Sequence, residues 1–185
     1  MKKVFMIHGF QGSPNGGWRS WLMSELNKND IYACSLAMPK PDEPICEEWV
    51  SEIAHNVERG SDDEIYLVGH SLGVPAILHY LEKSPANVKV SGAVLVSGPS
   101  EPNDNPKITN FLDKGFDFLT IKSKVKNFVI IHGDNDPNVP LNNAETISRE
   151  LGGELIVVPN GGHLNGSSGW NELPPALEAL NKMIS

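Results

Sequence analysis

Five consecutive residues, Gly69-His70-Ser71-Leu72-Gly73, match the pattern GxSxG. So short a motif draws its weight from context. A strand-like run, residues 64–68, precedes it and a helix-like run follows. That is the setting of a strand–turn–helix elbow, which presents a serine at the carboxyl edge of a sheet. A serine hydroxyl is a weak nucleophile at neutral pH; it needs a base, and the base needs an orienting acid. Candidates follow in the chain order Ser, Asp, His. His132-Gly133-Asp134-Asn135-Asp136-Pro137-Asn138-Val139-Pro140 comes just after one apolar run, and Asn160-Gly161-Gly162-His163 just after the last. His163 is the predicted base, because the two glycines before it permit a sharp turn and close backbone approach. His8, His70 and His132 end strand-like runs and read as packing or hydrogen-bonding residues; His55 and His79 fall on helices. Asp136 and Asp134 could each orient the base, and their spacing leaves both open.

Acyl chemistry also needs two N–H donors aimed at the charge that develops on the carbonyl oxygen. The Leu72 amide, directly after the serine, is one candidate. The loop His8-Gly9-Phe10-Gln11-Gly12 should supply the other, with Phe10 as first choice and Gln11 as second. That loop lacks both GxGxxG and GxxxxGK[ST], which argues against nucleotide binding. Asp134-x-Asp136-x-Asn138 with Glu145 imitates a calcium loop, but Val139 stands where such a loop needs glycine, so no metal is expected.

The elements that must position these residues alternate along the chain. Strand-like runs cover 3–7, 31–36, 64–68, 88–96, 127–131 and 155–158. Helical spacing covers 16–28, a run from about Ile45 that places Trp49, Val50, Ile53 and Val57 on one face, 72–82, 141–151 and 172–184. This βαβ order predicts an α/β fold: a doubly wound, mostly parallel six-stranded sheet with helices on both faces. In such a sheet the loops after the first, third, fifth and sixth strands open on one edge, beside the point where strand order reverses. The chain reads as a single domain over 1–185, with 98–126 as a possible lid or substrate-binding insertion. Within that stretch Phe111 and Phe116 are candidate substrate contacts, joined by Gln11 from the oxyanion loop; the competing expectation is a surface helix that buries its phenylalanines in the core.

Composition removes other classes. The chain has 185 residues, a net charge of −8 and 39% hydrophobic residues. Excess negative charge repels phosphates and anionic lipid heads, so neither nucleic acid nor membrane is expected as a partner. Residues 1–8 hold too few apolar positions for a signal peptide, and no run approaches the ~18 apolar residues of a membrane span. Cys34 and Cys46 form no metal spacing and read as free thiols in a reducing cytoplasm.

These residues resemble the α/β-hydrolase family, and most of all its small YdeN-like branch, related to the retinoblastoma-binding serine hydrolase. The resemblance spans nearly the whole chain: IHGF at 7–10, Trp18, Met38-Pro39, Glu48-Trp49, HSLG at 70–73, VSG at 96–98, DPNVP at 136–140 and GGH at 161–163. Gly69 stands where the branch can carry alanine. The resemblance implies Ser71 as nucleophile, Asp136 as acid, His163 as base and no cofactor. The expected activity is hydrolysis of a small-molecule carboxylic ester or thioester through an acyl-enzyme. The alternatives are a binding protein that keeps the hydrolase scaffold with little turnover, and a small peptidase or amidase.

Overall fold

A computed structural model describes residues 1–57 and 63–185. Six strands, β1 (Lys2–Ile7), β2 (Tyr32–Leu36), β3 (Glu64–His70), β4 (Gly92–Val96), β5 (Phe128–Gly133) and β6 (Glu154–Val158), alternate with α1 (Arg19–Asn27), α2 (Cys46–Asn56), α3 (Gly73–Lys83), α4 (Phe118–Lys124), α5 (Leu141–Leu151) and α6 (Pro174–Ile184). The sheet order is β2-β1-β3-β4-β5-β6. Every adjacent pair is parallel. The reversal therefore falls between β1 and β3, as the βαβ pattern predicts.

Side-chain alternation along β1 explains the layering. Val4 and Met6 pack into one apolar cluster with Leu22 and Leu26 of α1 and Leu180 of α6. Phe5 and Ile7 pack into a second cluster with Trp49 and Ile53 of α2, Ile77 of α3 and Ile147 of α5. Period-two alternation with both faces covered gives the uninterrupted apolar run seen in the sequence. No helix among the described residues is long and apolar enough to cross a membrane.

Two element starts differ from expectation by three residues or more, each for a local reason. Helix α1 begins at Arg19 instead of residue 16, because Gly17 adopts φ +58° and cannot continue a right-handed helix. Strand β4 begins at Gly92; Val90 forms only an isolated bridge to Val125.

The layers meet most tightly where α3 crosses β1. A side chain at Gly73 would collide with the carbonyl oxygens of Ile7 and His8. Backbone cannot move aside as a flexible side chain can. Gly73→Ala is therefore expected to destabilise the protein by about 3 kcal/mol, the upper range for overpacking a tight site, in urea denaturation followed by circular dichroism. Wild-type stability in that variant would refute the contact.

Candidate active site

Ser71 opens the β3–α3 connection at φ +53°, a left-handed angle that serine resists. Its amide is held by the Val96 carbonyl of the neighbouring strand at 2.8 Å. Gly69 lies under it; a Cβ there would stand 2.9 Å from both the carbonyl carbon and oxygen of Gly73. An alanine there would thus require the elbow to open slightly.

The structure brings Ser71, His163 and Asp136 together. The Ser71 hydroxyl donates to His163 Nε2 at 2.9 Å, and His163 Nδ1–H donates to Asp136 Oδ2 at 2.8 Å. The other carboxylate oxygen accepts the amides of Asn138 and Val139 at 2.8 and 3.0 Å. The Asp136 side chain is fully shielded from solvent. Its burial pushes the carboxyl pKa up, but the His163 hydrogen bond, the His163 charge and the two amides together hold it below the ordinary carboxylate value. Asp134, the rival left open by spacing, faces away from His163: its Oδ1 accepts the Asn160 amide at 2.7 Å. Asn135 between them accepts the Gly162 amide at 2.8 Å. Three consecutive side chains thus hold three points of the loop that carries His163.

Three other histidines act as struts. His70 Nε2 donates to the His163 carbonyl at 3.0 Å. His8 Nδ1 donates to the Gly9 carbonyl, and its Nε2 accepts the Met38 amide. His132 Nε2 donates to the Val139 carbonyl. Burial, chiefly, pushes the His70 pKa down to about 3 and lowers that of His8. Trp18, part of the family resemblance but given no role by it, donates its indole N–H to the Leu164 carbonyl at 2.8 Å, beside His163.

Phe10 and Leu72 stand on either side of Ser71. Neither amide has a protein acceptor among the described residues, and Leu72 precedes the first turn of α3. Gln11 does not qualify as the alternative donor, because its amide is spent on the Pro41 carbonyl at 2.9 Å. Its side chain does border the site. Two clefts flank the Ser71–His163 pair, of about 260 and about 740 Å³, and Phe10 and Gln11 line both.

The phenylalanine expectation is corrected. Phe111 is fully buried, edge-on to Trp49 at 5.4 Å between ring centroids, and lines neither cleft. Phe116 packs on His79 and Phe118. Only the start of the 98–126 segment borders the site: Pro99, Pro102, Asn105 and Ile108 line the larger cleft. The segment's length marked it as a candidate lid or insertion, but a residue's distance from Ser71 cannot be read from length or composition. Arg19, another cleft residue the sequence did not flag, carries no motif at all.

A serine–imidazole–carboxylate chain beside two free amides can move a proton off a hydroxyl and receive negative charge on a nearby oxygen. The sheet order, the crossover at β1/β3 and this site define the protein as a compact α/β hydrolase. A family model described as "Serine hydrolase" matches residues 4–182. The chain belongs to that serine hydrolase family. It is 30% identical to the Bacillus subtilis (strain 168) protein YdeN over 185 residues, covering 100% of this chain and 97% of that one. The crystal structure of the B. subtilis ydeN product superposes with a TM-score of 0.92, covering 100% of this chain and 99% of the other. Serine hydrolase RBBP9 of Rattus norvegicus is 22% identical over 89% of this chain and 86% of its own. Est1E of Butyrivibrio proteoclasticus with ferulic acid bound shares the fold, with a TM-score of 0.76 at 16% identity over 100% of this chain and 88% of that chain.

The buried groups set an acid limit. A histidine whose folded pKa lies below its unfolded value of about 6.5 favours folding fully above that value, and the benefit is lost as pH falls toward the folded pKa. Asp136, with its lowered pKa, adds stability above about 3.9 that is lost at still lower pH. Stability should therefore decline from about pH 6.5 downward, by at most about 1.4 kcal/mol per pH unit for His70. His70→Gln, which keeps an N–H donor, should flatten this slope between pH 6.5 and 4 in urea titrations. An unchanged slope would show that His70 is not the group being protonated.

Proposed function

We propose that this chain hydrolyses carboxylic esters or thioesters of small molecules through an acyl-enzyme, with Ser71, His163 and Asp136 as its triad. The observation that carries this reading is the continuous pair of hydrogen bonds, 2.9 Å from Ser71 Oγ to His163 Nε2 and 2.8 Å from His163 Nδ1 to Asp136 Oδ2. Family membership supports the same conclusion.

His163 Nε2 takes the Ser71 proton as Oγ attacks the carbonyl carbon. Charge collects on the carbonyl oxygen, where the Phe10 and Leu72 amides receive it. The tetrahedral intermediate expels the alcohol or thiol, which leaves with the proton from His163. Water then attacks the acyl-Ser71, gives its proton to His163, and the acid departs as Oγ is reprotonated. Asp136 holds the ring with Nδ1 protonated and stabilises the imidazolium while it exists. No step calls on a metal or cofactor. Cys34 and Cys46 are free thiols, and Cys46 is buried with its pKa raised to about 11, chiefly by burial. Unpaired thiols suit a reducing cytoplasm, which we assign as the compartment.

Incubation with a fluorophosphonate, followed by intact-mass measurement, should give one adduct on wild type and none on Ser71→Ala. Ester turnover should fall by about 10⁶ in that variant. Asp136→Asn should lose about 10⁴ in kcat, because the amide stabilises the wrong ring tautomer. Asp134→Asn should lose far less, since its amide oxygen can still accept the Asn160 N–H. Failure of folded wild type to react would favour the binding-protein alternative; the reverse order of the two aspartate variants would move the acid to Asp134.

A further inference from the structure

Acyl transfer leaves one charged group at the site unused. Arg19 opens α1 and is 5% exposed, yet it lines the smaller cleft together with Ser71 and His163. Its Nη2 donates to the Ser13 carbonyl at 2.8 Å, while Nε is enclosed without an acceptor among the described residues. None of the ion pairs among the described residues includes Arg19. Burial lowers its pKa to about 10, so it stays charged at neutral pH. A buried cation with no counter-ion is costly to the fold. Such a cost is sustained where a ligand supplies the missing charge.

The rest of the cleft suits that ligand. Its lining contains no aspartate or glutamate, in a chain with 23 acidic and 15 basic residues. Glycines 9, 12, 16, 17 and 166 form much of its wall, so a compact polar group meets backbone over much of it, with Phe10 the one large apolar side chain in the lining. The larger cleft differs in charge: prolines and asparagines line it alike, it holds no cation, and its one charged residue is Asp104. A guanidinium offers a carboxylate a flat, paired set of donors. One cation balances a monoanion, whereas a phosphate dianion would leave net negative charge in a cleft without a second cation.

We propose that the smaller cleft is a carboxylate subsite and that Arg19 is a specificity-determining residue: the ester or thioester attacked by Ser71 carries a free carboxylate on the part that lies against Arg19. This rests on the acyl-transfer reading of Ser71. It narrows the substrates to half-esters of dicarboxylic acids, or esters whose leaving group bears a carboxylate. Reactions supplying such a substrate must form one ester or thioester bond, by esterifying one carboxyl of a diacid or acylating the hydroxyl or thiol of a carboxylate-bearing molecule, and leave a carboxyl free.

The test uses matched ester pairs on the full chain. Mono-p-nitrophenyl adipate against p-nitrophenyl hexanoate probes the acyl side, and 4-carboxyphenyl butyrate against phenyl butyrate probes the leaving group. In wild type, at least one pair should favour the anionic ester in kcat/KM by about tenfold or more, the worth of one charge-assisted hydrogen bond. Arg19→Met should bring that ratio close to one, and Arg19→Lys should restore part of it. Adipate should also inhibit wild type competitively, which keeps the test independent of whether Arg19→Met folds. Ratios near one for both pairs in wild type, with a normal fluorophosphonate adduct on Ser71, would overturn the carboxylate subsite alone. Neither adduct nor turnover of any of the four esters would overturn the acyl-transfer reading and the subsite with it.

Discussion

The backbone of Ser71 is the constraint around which the site is arranged. Holding a serine at φ +53° costs about 1–3 kcal/mol and persists only where surroundings over-determine it. Those surroundings are backbone on every side. A Cβ at Gly9 would stand 2.7 Å from the Ser71 Cβ, and one at Gly69 would meet the Gly73 peptide. Strand β4 accepts the Ser71 amide. Three strands and one helix therefore approach a single residue at backbone distance. The glycines of GxSxG and IHGF are the condition for that approach, and Phe10 and Leu72 line a cleft together with Ser71.

The base arrives from the opposite half of the sheet. Gly133 and Gly162 come so close that a side chain on Gly133 would overlap the Gly162 carbonyl. Asp134, Asn135 and Asp136 then fasten Asn160, Gly162 and His163 in turn. His70 and Trp18 hold the carbonyls of His163 and Leu164 from below. A loop held at five points can keep an imidazole in register without burying it in a large apolar contact. The neutral state of His70 belongs to the same arrangement, since a second imidazolium 5.1 Å from the His163 ring would oppose any charge that His163 acquires.

Charge divides the two clefts. A chain of net charge −8 places a single shielded guanidinium on one side of its serine, and Asp104 on the other. On the proposed reading, clefts of unlike charge on the two sides of one nucleophile would orient a substrate with two unlike ends, a stronger demand than accommodating any ester of suitable size.

Local pattern determined a large part of this protein. Alternation in β1, helical spacing in α2 and the βαβ order were legible because they depend on which residues are apolar and how far apart they stand. GxSxG and GGH were legible for a related reason: tight turns and backbone contacts demand glycine, and the demand shows in the sequence. The choice between Asp134 and Asp136 was not, because both lie in one loop and their roles separate only through which way each side chain points once β5 and β6 are paired. Phe111 read equally well as a pocket wall or as core, since a phenylalanine is apolar in either place; its contact with Trp49, from a helix some sixty residues earlier, decided the matter. Arg19 was silent for the same reason. An arginine after a tryptophan is an ordinary surface pattern, and only the folding of α1 against the loop after β1 encloses it beside Ser71. Periodicity and turn chemistry are local and so are written in the chain, whereas the direction and burial of a side chain are set by partners distant in sequence, which exist only in the folded protein.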